Sequence, residues 1–262
     1  MLKVRQPTVA GSFYPSDSNE LKETLKGFID NATYISKNKI VKALIVPHAG
    51  YVFSGTTAGW GYKQIGSLLT DHSSQKNNSF VIIGPSHNFG FEGIVGNDFE
   101  YWETPLGKVK HEKPIGKIEL FNEAFVPEHN LEVQIPFIQF IDKDAMISCF
   151  LTGITVDTKE FADYFIQNYP DSVYIFSSDL SHYLSEDEAR MKDRKTIEAI
   201  LRGDNKYFKE EENTACGSNG IRILMDMARQ KKWKTELIYY DTSASYKGDS
   251  SKVVGYVAVS YF

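Results

Sequence analysis

Three histidines each follow an apolar run by a few residues: His48 after 42–46, His87 after 80–83 and His182 after 173–176. Short apolar runs bounded by Pro, Gly and Ser predict strands buried on both faces of a sheet that helices cover. In open α/β sheets, ligands bind outside the carboxyl ends of such strands. If the three strands are parallel neighbours, three imidazoles and the Asp179 carboxylate meet at one sheet edge. We therefore expect a metal or proton-transfer centre there.

Two of these histidines are the better candidates for metal ligands. Neutral imidazole nitrogen binds zinc, copper and iron well. His48 directly follows Pro47, and His87 follows Pro85 by two residues. Turns of this kind hold a side chain with little rotational freedom. We therefore predict that His48 and His87 bind the metal and that the nearby Tyr51 forms a wall of the pocket.

The third histidine, His182, ends a run of hydroxyl side chains that includes one carboxylate, 177–182. These groups can orient an imidazole, which favours His182 as a general acid or base. Asp179 has three possible roles: setting the tautomer of His182, completing a coordination shell, or capping a helix that begins near Ser181. The sequence has no Gly-x-Ser-x-Gly nucleophile elbow, so Ser-His-Asp hydrolase chemistry is disfavoured.

A fourth polar cluster, 128–134, contains Glu128, His129 and Glu132. It lacks the second histidine of the zinc-protease motif. Two interpretations stay open. Its carboxylates can hold a ligand imidazole from behind, or the segment is an exposed helix start whose acidic residues the helix dipole favours. The remaining histidines, His72 and His111, lie in polar stretches and are expected to be solvated.

Composition excludes several classes of function. The 262 residues carry a net charge of −5. They show no clustered basic surface for nucleic acid. No run approaches the roughly 18 apolar residues of a membrane helix. No apolar signal core follows the N-terminal basic residues, so the expected location is the cytoplasm.

The two cysteines do not form a disulfide framework. Cys149 lies in an apolar run and is expected to be buried. Cys216 lies in a polar, Gly-rich turn ahead of a helix predicted to begin near Ser218. A helix N-terminus lowers the pKa of a thiol, as a bound cation also does. Cys216 is therefore predicted to be largely thiolate near neutrality.

The sequence has no internal repeat, low-complexity tract or Pro/Ser-rich linker, which predicts a single domain, 1–262. Strands and helices alternate along it. We expect a three-layer α/β/α sandwich with a mostly parallel, mixed central sheet. Strands are predicted at 40–46, 80–83, 145–151, 172–176, 236–240 and 252–261, the last two as an antiparallel pair. Helices are predicted from a start signal at 16–20 and at 56–69, 119–125, 130–140, 158–168, 185–201 and 220–231. Residues 93–112 suggest a hairpin laid over the site.

Six segments match motifs of a known protein family: 4–15, 47–55, 84–87, 128–134, 177–182 and 254–256. Together, in order and from end to end of the chain, they resemble the Memo family, including its microbial members called AmmeMemoRadiSam system protein B. The resemblance implies the fold of class III extradiol ring-cleavage dioxygenases, which use non-haem ferrous iron. It assigns His48 and His87 as two ligands and Cys216 as the third. Asp179 and His182 match the other polar residues of that pocket, with His182 at the acid/base position.

A thiolate replaces the carboxylate that the dioxygenases use as third ligand. Because a thiolate is softer, the expected ion is iron or copper, with zinc possible. The predicted function is a metal-dependent, dioxygenase-like redox enzyme. The alternative is a non-catalytic module that binds a metal or a peptide for signalling or metal handling, and a zinc-dependent hydrolase is a third possibility. The predicted ligand is a small molecule or a peptide, and the resemblance implies a radical-SAM partner.

Overall fold

The computed structural model describes residues 2–35, 39–65 and 79–262, which form a twelve-stranded mixed sheet with helices on both faces. The strands are β1 Val4–Arg5, β2 Ala43–Val46, β3 Ser79–Pro85, β4 Ile94–Gly96, β5 Tyr101–Thr104, β6 Gly107–His111, β7 Glu119–Leu120, β8 Met146–Thr152, β9 Val173–Ser177, β10 His182–Leu184, β11 Thr235–Thr242 and β12 Val253–Tyr261. The helices are α1 Ser18–Asp30, α2 Tyr51–Ile65, α3 Asn122–Phe125, α4 Ile135–Ile141, α5 Thr158–Asn168, α6 Glu186–Arg202, α7 Tyr207–Glu210, α8 Ser218–Lys231 and α9 Ala244–Lys247.

The centre of the sheet is parallel. Strands β8, β3, β9 and β2 lie side by side in that order, each parallel to its neighbours. Strand β12 continues the sheet antiparallel to β2 and also pairs with β10 and β11. On the other side, β6 pairs with β8 and leads to β5 and β1. The three-layer α/β/α sandwich and the antiparallel pairing of the last two strands are confirmed.

Alternate side chains of the central strands point to opposite faces, as the strand repeat requires. In β3, Phe80 and Ile82 join one apolar cluster, and Val81 and Ile83 join another. The first cluster includes residues of α1, α2 and α4, and the second includes residues of α5, α6 and α8. Because both faces are covered, the central strands read as continuous apolar runs rather than as alternating ones.

The predicted hairpin forms but does not cover the site. Strands β5 and β6 meet at a turn where Gly107 has φ +110°. Trp102 and Val109 are buried in the first apolar cluster. Because β6 pairs with β8 and β5 pairs with β1, the hairpin extends the sheet.

The helix predicted to begin near Ser181 is wrong. Residues 182–184 form strand β10, and α6 begins at Glu186. Strand β12 occupies the backbone groups of this turn: Leu180 N donates to Gly255 O at 2.8 Å, and Gly255 N donates to Ser181 O at 3.0 Å. Asp179 is therefore not a helix cap.

Three other predicted helices differ in extent. Helix α2 begins at Tyr51, five residues before the predicted 56–69, whose last four residues lie outside the described ranges together with His72. The 119–125 segment divides into strand β7 and the short helix α3. Segment 130–140 begins with a 3-10 turn, Glu132–Gln134, before α4 starts at Ile135. None of the helices in the described ranges is long and apolar enough to cross a membrane.

The expectation that His111 is solvated is also wrong. Its side chain is buried at the end of β6. Nδ1 lies 2.8 Å from Phe99 O, which can only accept, so Nδ1 carries the proton. Nε2 then accepts from Cys149 N at 3.2 Å. Burial lowers the pKa of His111 from its usual 6.5 to about 4, because the charged ring would lose its hydration. Protonation of Nε2 would also leave the Cys149 N–H without this acceptor.

The lowered pKa of His111 predicts that the free energy of unfolding depends on pH. The unfolded chain takes up a proton near pH 6.5, whereas the folded protein does not until about pH 4. The contribution is therefore fully present above pH 6.5 and is lost as the pH falls towards 4, by about 3 kcal/mol in total. We expect His111→Gln to flatten this fall in the free energy of unfolding, measured by urea titration at pH 7.0, 5.5 and 4.5. Lys110→Gln, an exposed neighbour, should leave the slope unchanged, and equal slopes in wild type and His111→Gln would contradict the assignment.

Candidate metal centre

Two of the candidate ligands follow strands on either side of β9. Strand β9 pairs in parallel with β2, with Val46 opposite Ser177, and with β3, with Ile83 opposite Phe176. Their carboxyl ends therefore lie at the same edge. His48 comes two residues after β2, and His87 comes two residues after β3. The topology brings these two side chains to one place, as the sequence pattern predicts.

A third imidazole, that of His129, joins them. His48, His87 and His129 each offer a ligand atom that lies within 4.8 Å of the other two. The His48 ring centroid lies 5.3 Å from that of His87 and 5.6 Å from that of His129, and the last two rings stack at 5.0 Å. His48 is buried, whereas the side chains of His87 and His129 are 32% and 25% exposed. The cluster is therefore open to ligands on the side of His87 and His129.

One carboxylate hydrogen-bonds to one of the three rings and lies beside a second. Glu128 has no exposed surface. Its Oε1 lies 2.9 Å from His87 Nδ1 and 3.4 Å from His129 Nδ1, and its Oε2 accepts the His87 backbone N–H at 2.8 Å. The exposed-helix-start interpretation therefore does not describe this segment. A carboxylate that accepts from Nδ1 fixes the tautomer whose Nε2 lone pair is available to a metal.

The tautomer of His48 follows from a hydroxyl. Ser177 Oγ lies 2.8 Å from Asn130 O, which can only accept, so the single hydroxyl proton is used there. The same Oγ accepts from Gln134 Nε2 at 2.9 Å. At 3.0 Å, His48 Nδ1 must therefore donate to it. The Nε2 of His48 is left with its lone pair free.

The environment of His48 keeps its ring neutral. Burial, first, and then the neighbouring imidazoles of His87 and His129 hold its pKa well below the usual range. Burial also lowers the pKa of His129. Neutral imidazole is the form that binds a metal ion, so these two ligand candidates are ready at neutral pH.

Cys216 lies beside His48, with its Sγ 3.2 Å from His48 Nε2. Its turn presses on the end of β9: a Cβ at Gly217 would stand 2.7 Å from Ser178 Cβ, so only glycine fits. Helix α8 begins at Ser218, as predicted. Burial and the Asp179 carboxylate nevertheless raise the pKa of Cys216 to about 12. The expectation of a thiolate near neutrality is therefore wrong for the metal-free protein, in which the thiol can donate to His48 Nε2.

Asp179 anchors the turn that carries His48. Its Oδ1 accepts the His48 backbone N–H at 2.8 Å, and its Oδ2 lies 4.0 Å from His48 Nε2. Burial raises the pKa of this carboxyl group. Asp179 therefore lies at the same centre as Cys216, and both remain possible donors to a metal held by His48.

His182 is oriented by backbone groups instead of by Asp179. Its Nδ1 donates to Leu180 O at 2.8 Å, which leaves Nε2 available. The Asn213 amide bridges its backbone, accepting from His182 N and donating to His182 O at 3.0 Å each. Tyr183 and Asn213 both have left-handed backbones, with φ of +63° and +50°. A left-handed backbone is strained in residues other than glycine, and here the hydrogen bonds between Asn213 and the His182 backbone hold it in place.

The remaining predicted pocket residue, Tyr51, begins α2 and packs inward. Its ring lies 5.1 Å from that of Phe137, and its hydroxyl donates to Val133 O at 2.7 Å. A different aromatic residue, Phe13 of the N-terminal arm, contacts one of the three histidines. Its ring centroid lies 4.9 Å from that of His129.

Sequence reasoning missed the residues behind the histidines. Gln134 Nε2 donates to Pro47 O and Ser177 Oγ, both at 2.9 Å, and Asn130 Nδ2 donates to Pro85 O at 2.5 Å. Segment 128–134 therefore binds the ends of β2, β3 and β9 together. The only signal in the sequence was the density of polar side chains in this segment.

Comparison with known proteins shows the family of this chain. The profile of the family described as Memo-like protein matches residues 5–260. A MEMO1 family protein of Archaeoglobus fulgidus is 35% identical over 275 residues, 98% of this chain and 99% of that one. Those of Methanococcoides burtonii and Nitrosopumilus maritimus are 35% and 34% identical, over 98% of this chain and 99% of each relative. The chain belongs to the Memo family.

The donor set of this Memo family protein fits a transition metal ion. Bonds of about 2.0 Å to nitrogen and 2.3 Å to sulfur, at tetrahedral angles, place the two donors roughly 3.5 Å apart. The observed separation of His48 Nε2 and Cys216 Sγ, 3.2 Å, is close to that value. His48, His87 and His129 supply three nitrogen donors, with Cys216 and Asp179 adjacent to His48.

The shared carboxylate of this Memo family protein yields a prediction. Glu128→Gln replaces the carboxylate that accepts from the backbone and ring of His87 and lies beside His129 with a neutral amide that presents only one oxygen. We expect the affinity for Zn²⁺ to fall by about 10-fold to 100-fold. Competition with a chromogenic chelator measures it, with the melting temperature recorded alongside. Glu123→Gln, an exposed glutamate on α3, should bind Zn²⁺ like the wild type. Unchanged affinity in Glu128→Gln would show that the carboxylate does not prepare the site.

Proposed function

We propose that this protein is a metal-dependent redox enzyme that acts on a small organic molecule at the His48, His87 and His129 cluster. The observation that carries the proposal is the common orientation of the imidazoles. The Nδ1 atoms of His48, His87 and His129 face Ser177 Oγ or the Glu128 carboxylate. Buried oxygens that fix Nδ1 prepare Nε2 for coordination.

We propose Cys216 as the third ligand, beside His48 and His87. Its sulfur faces the free lone pair of the most buried imidazole. His129 lies on the more open side, where it can contact the bound molecule or serve as a further donor. One soft sulfur and two imidazoles favour iron or copper over magnesium or calcium.

The protein's own residues supply the proton chemistry. His182 presents a free Nε2 and is partly exposed, so it can move a proton to or from a bound molecule. Asp179 holds the His48 turn through the backbone N–H. A bound iron or copper ion would supply electron transfer with oxygen or with the organic molecule.

Two related predictions remain part of the proposal. A reduced Cys216 requires a reducing compartment, in agreement with the cytoplasm. A small organic molecule is the proposed ligand, whereas a peptide ligand and a radical-SAM partner are predictions from family resemblance.

A non-catalytic metal-binding protein is the alternative. It would bind the ion equally well but consume no oxygen with any of a panel of organic molecules.

The ligand assignment predicts a specific order of metal loss. We expect His48→Ala, His87→Ala and Cys216→Ser each to lower metal affinity by about tenfold or more, with Cys216→Ser losing more for copper(I) than for iron(II) because oxygen suits the harder ion. His129→Ala should lose less. Chelator competition under anaerobic conditions measures these affinities, with Cys149→Ala as the cysteine control. Loss in His129→Ala but not in Cys216→Ser would assign the third position to His129.

The role of His182 predicts a separation of binding from turnover. His182→Gln should keep the metal content and the melting temperature of the wild type, because Nδ1 contacts only a carbonyl. Oxygen consumption by the iron-loaded protein should fall by about 10²-fold or more with any molecule that the wild type turns over. Metal loss as large as that of His48→Ala would instead make His182 a ligand.

A further inference from the structure

The site edge of the sheet carries exposed apolar side chains. Each of the four central parallel strands is followed within seven residues by one of them: Val52, Phe89, Ile154 and Tyr183. Exposed apolar side chains are ordinary when scattered singly. Here they follow neighbouring strands and lie in the segments after the same carboxyl ends that the histidines follow. In the described residues just before β2, β8 and β9, only Ile40 is comparable.

Ile154 is the most exposed of the four, at 76%, yet its backbone is fixed. Its N–H donates to Phe91 O at 2.8 Å, and its carbonyl accepts from Asn219 Nδ2 at 3.2 Å. Asn219 lies in the first turn of α8, three residues after Cys216. Ordering the backbone here costs conformational entropy, and the exposed side chain of Ile154 buries little apolar surface to offset that cost.

Ile154 also contacts the loop that carries His87. Its Cδ1 lies 3.1 Å from the position that a Cβ on Gly90 would take. Phe89, in the same loop, packs edge-on against Phe121 and stays 37% exposed. Ile154 therefore links the His87 loop, through Gly90, to the first turn of α8, through Asn219, and Phe89 is a second exposed apolar side chain of the same loop. We call Phe89 and Ile154 the apolar wall. His87, two residues before Phe89 in this loop, has a side chain that is 32% exposed.

We propose that this wall, Phe89 and Ile154, binds the apolar body of the ligand while the ligand's polar end reaches the histidine cluster. The ligand class is a small organic molecule with one metal-binding head and a hydrophobic ring or chain. Burial of apolar surface stabilises such a complex in proportion to the area covered. The inference rests on the proposed metal centre, because the head needs an ion to bind.

Two hydroxamates can distinguish binding by the apolar wall from binding by the metal ion. Acetohydroxamate and benzohydroxamate share one chelating head, and only the second has a ring. With the Zn²⁺-loaded protein, we expect benzohydroxamate to bind about tenfold more tightly by calorimetry. Ile154→Ser and Phe89→Ser should reduce the preference for benzohydroxamate to about the preference that free Zn²⁺ shows in solution. The affinity for acetohydroxamate should stay unchanged. Ile40→Ser makes the same change near the start of β2 and should keep the preference.

The outcomes distinguish the two proposals. If the wild type prefers benzohydroxamate no more than free Zn²⁺ does, the proposed role of the apolar wall is wrong and the proposed metal centre is unaffected. A preference retained in both Ile154→Ser and Phe89→Ser would lead to the same conclusion. If the protein binds no Zn²⁺, or if bound Zn²⁺ takes up neither hydroxamate, the proposed centre fails and the wall fails with it. Ile154 and Phe89 are partly or largely exposed, so melting temperatures near the wild-type value are expected for both variants.

Discussion

The Glu132 carboxylate ties the N-terminal arm to the segment that organises the histidines. It has no exposed surface and pairs with the Arg5 guanidinium, which is also buried. It accepts the backbone N–H groups of Thr8 and Val9, at 2.9 and 3.0 Å to its closer oxygens, and the Tyr14 hydroxyl at 2.6 Å. A buried pair of this kind is costly to break, by about 3–5 kcal/mol when one partner is removed, because the other charge is left uncompensated.

The same pair reaches the metal-binding edge through the backbone. Arg5 Nη2 donates to Glu128 O at 2.8 Å, so the guanidinium fixes the residue whose side chain hydrogen-bonds to His87 and lies beside His129. Arg5 also lies over the Trp102 ring, 4.8 Å from its centroid. The motif at the start of the chain therefore serves the site from a distance. It fixes segment 128–134, and that segment fixes the imidazoles.

The sequence predicted the parts of this arrangement that depend on local pattern. Apolar runs and the residues after them gave the parallel strands and placed His48 and His87 at one edge, because strand direction alone decides which ends meet. Segment 128–134 acts through contacts with Pro47, Pro85 and Ser177, which lie about 40 to 90 residues away in the chain. Local periodicity carries no information about contacts of that range, so the sequence left two interpretations of Glu128 open and did not assign Ser177 to His48.

The wrong predictions have a common physical origin. Asp179 before Ser181 has the composition of a helix start, but β12 takes the backbone groups that a helix would use. His111 lies among charged residues, yet tertiary packing buries it beside Cys149. For Cys216, the α8 N-terminus favours a thiolate, but burial and the Asp179 charge outweigh it. In each case a local signal was present, and a distant part of the chain decided the outcome.

The raised pKa of Cys216 is itself consistent with a metal site. In the metal-free protein, the thiol can donate to the His48 lone pair, so Cys216 and His48 are both neutral and are hydrogen-bonded to each other. Coordination exchanges that proton for a cation, which stabilises the thiolate far more than the helix N-terminus does. Cys216 as thiolate and Asp179 as carboxylate would then balance the two charges of a divalent ion. The ion and these two anionic donors would together carry no net charge, which limits the cost of burying the ion.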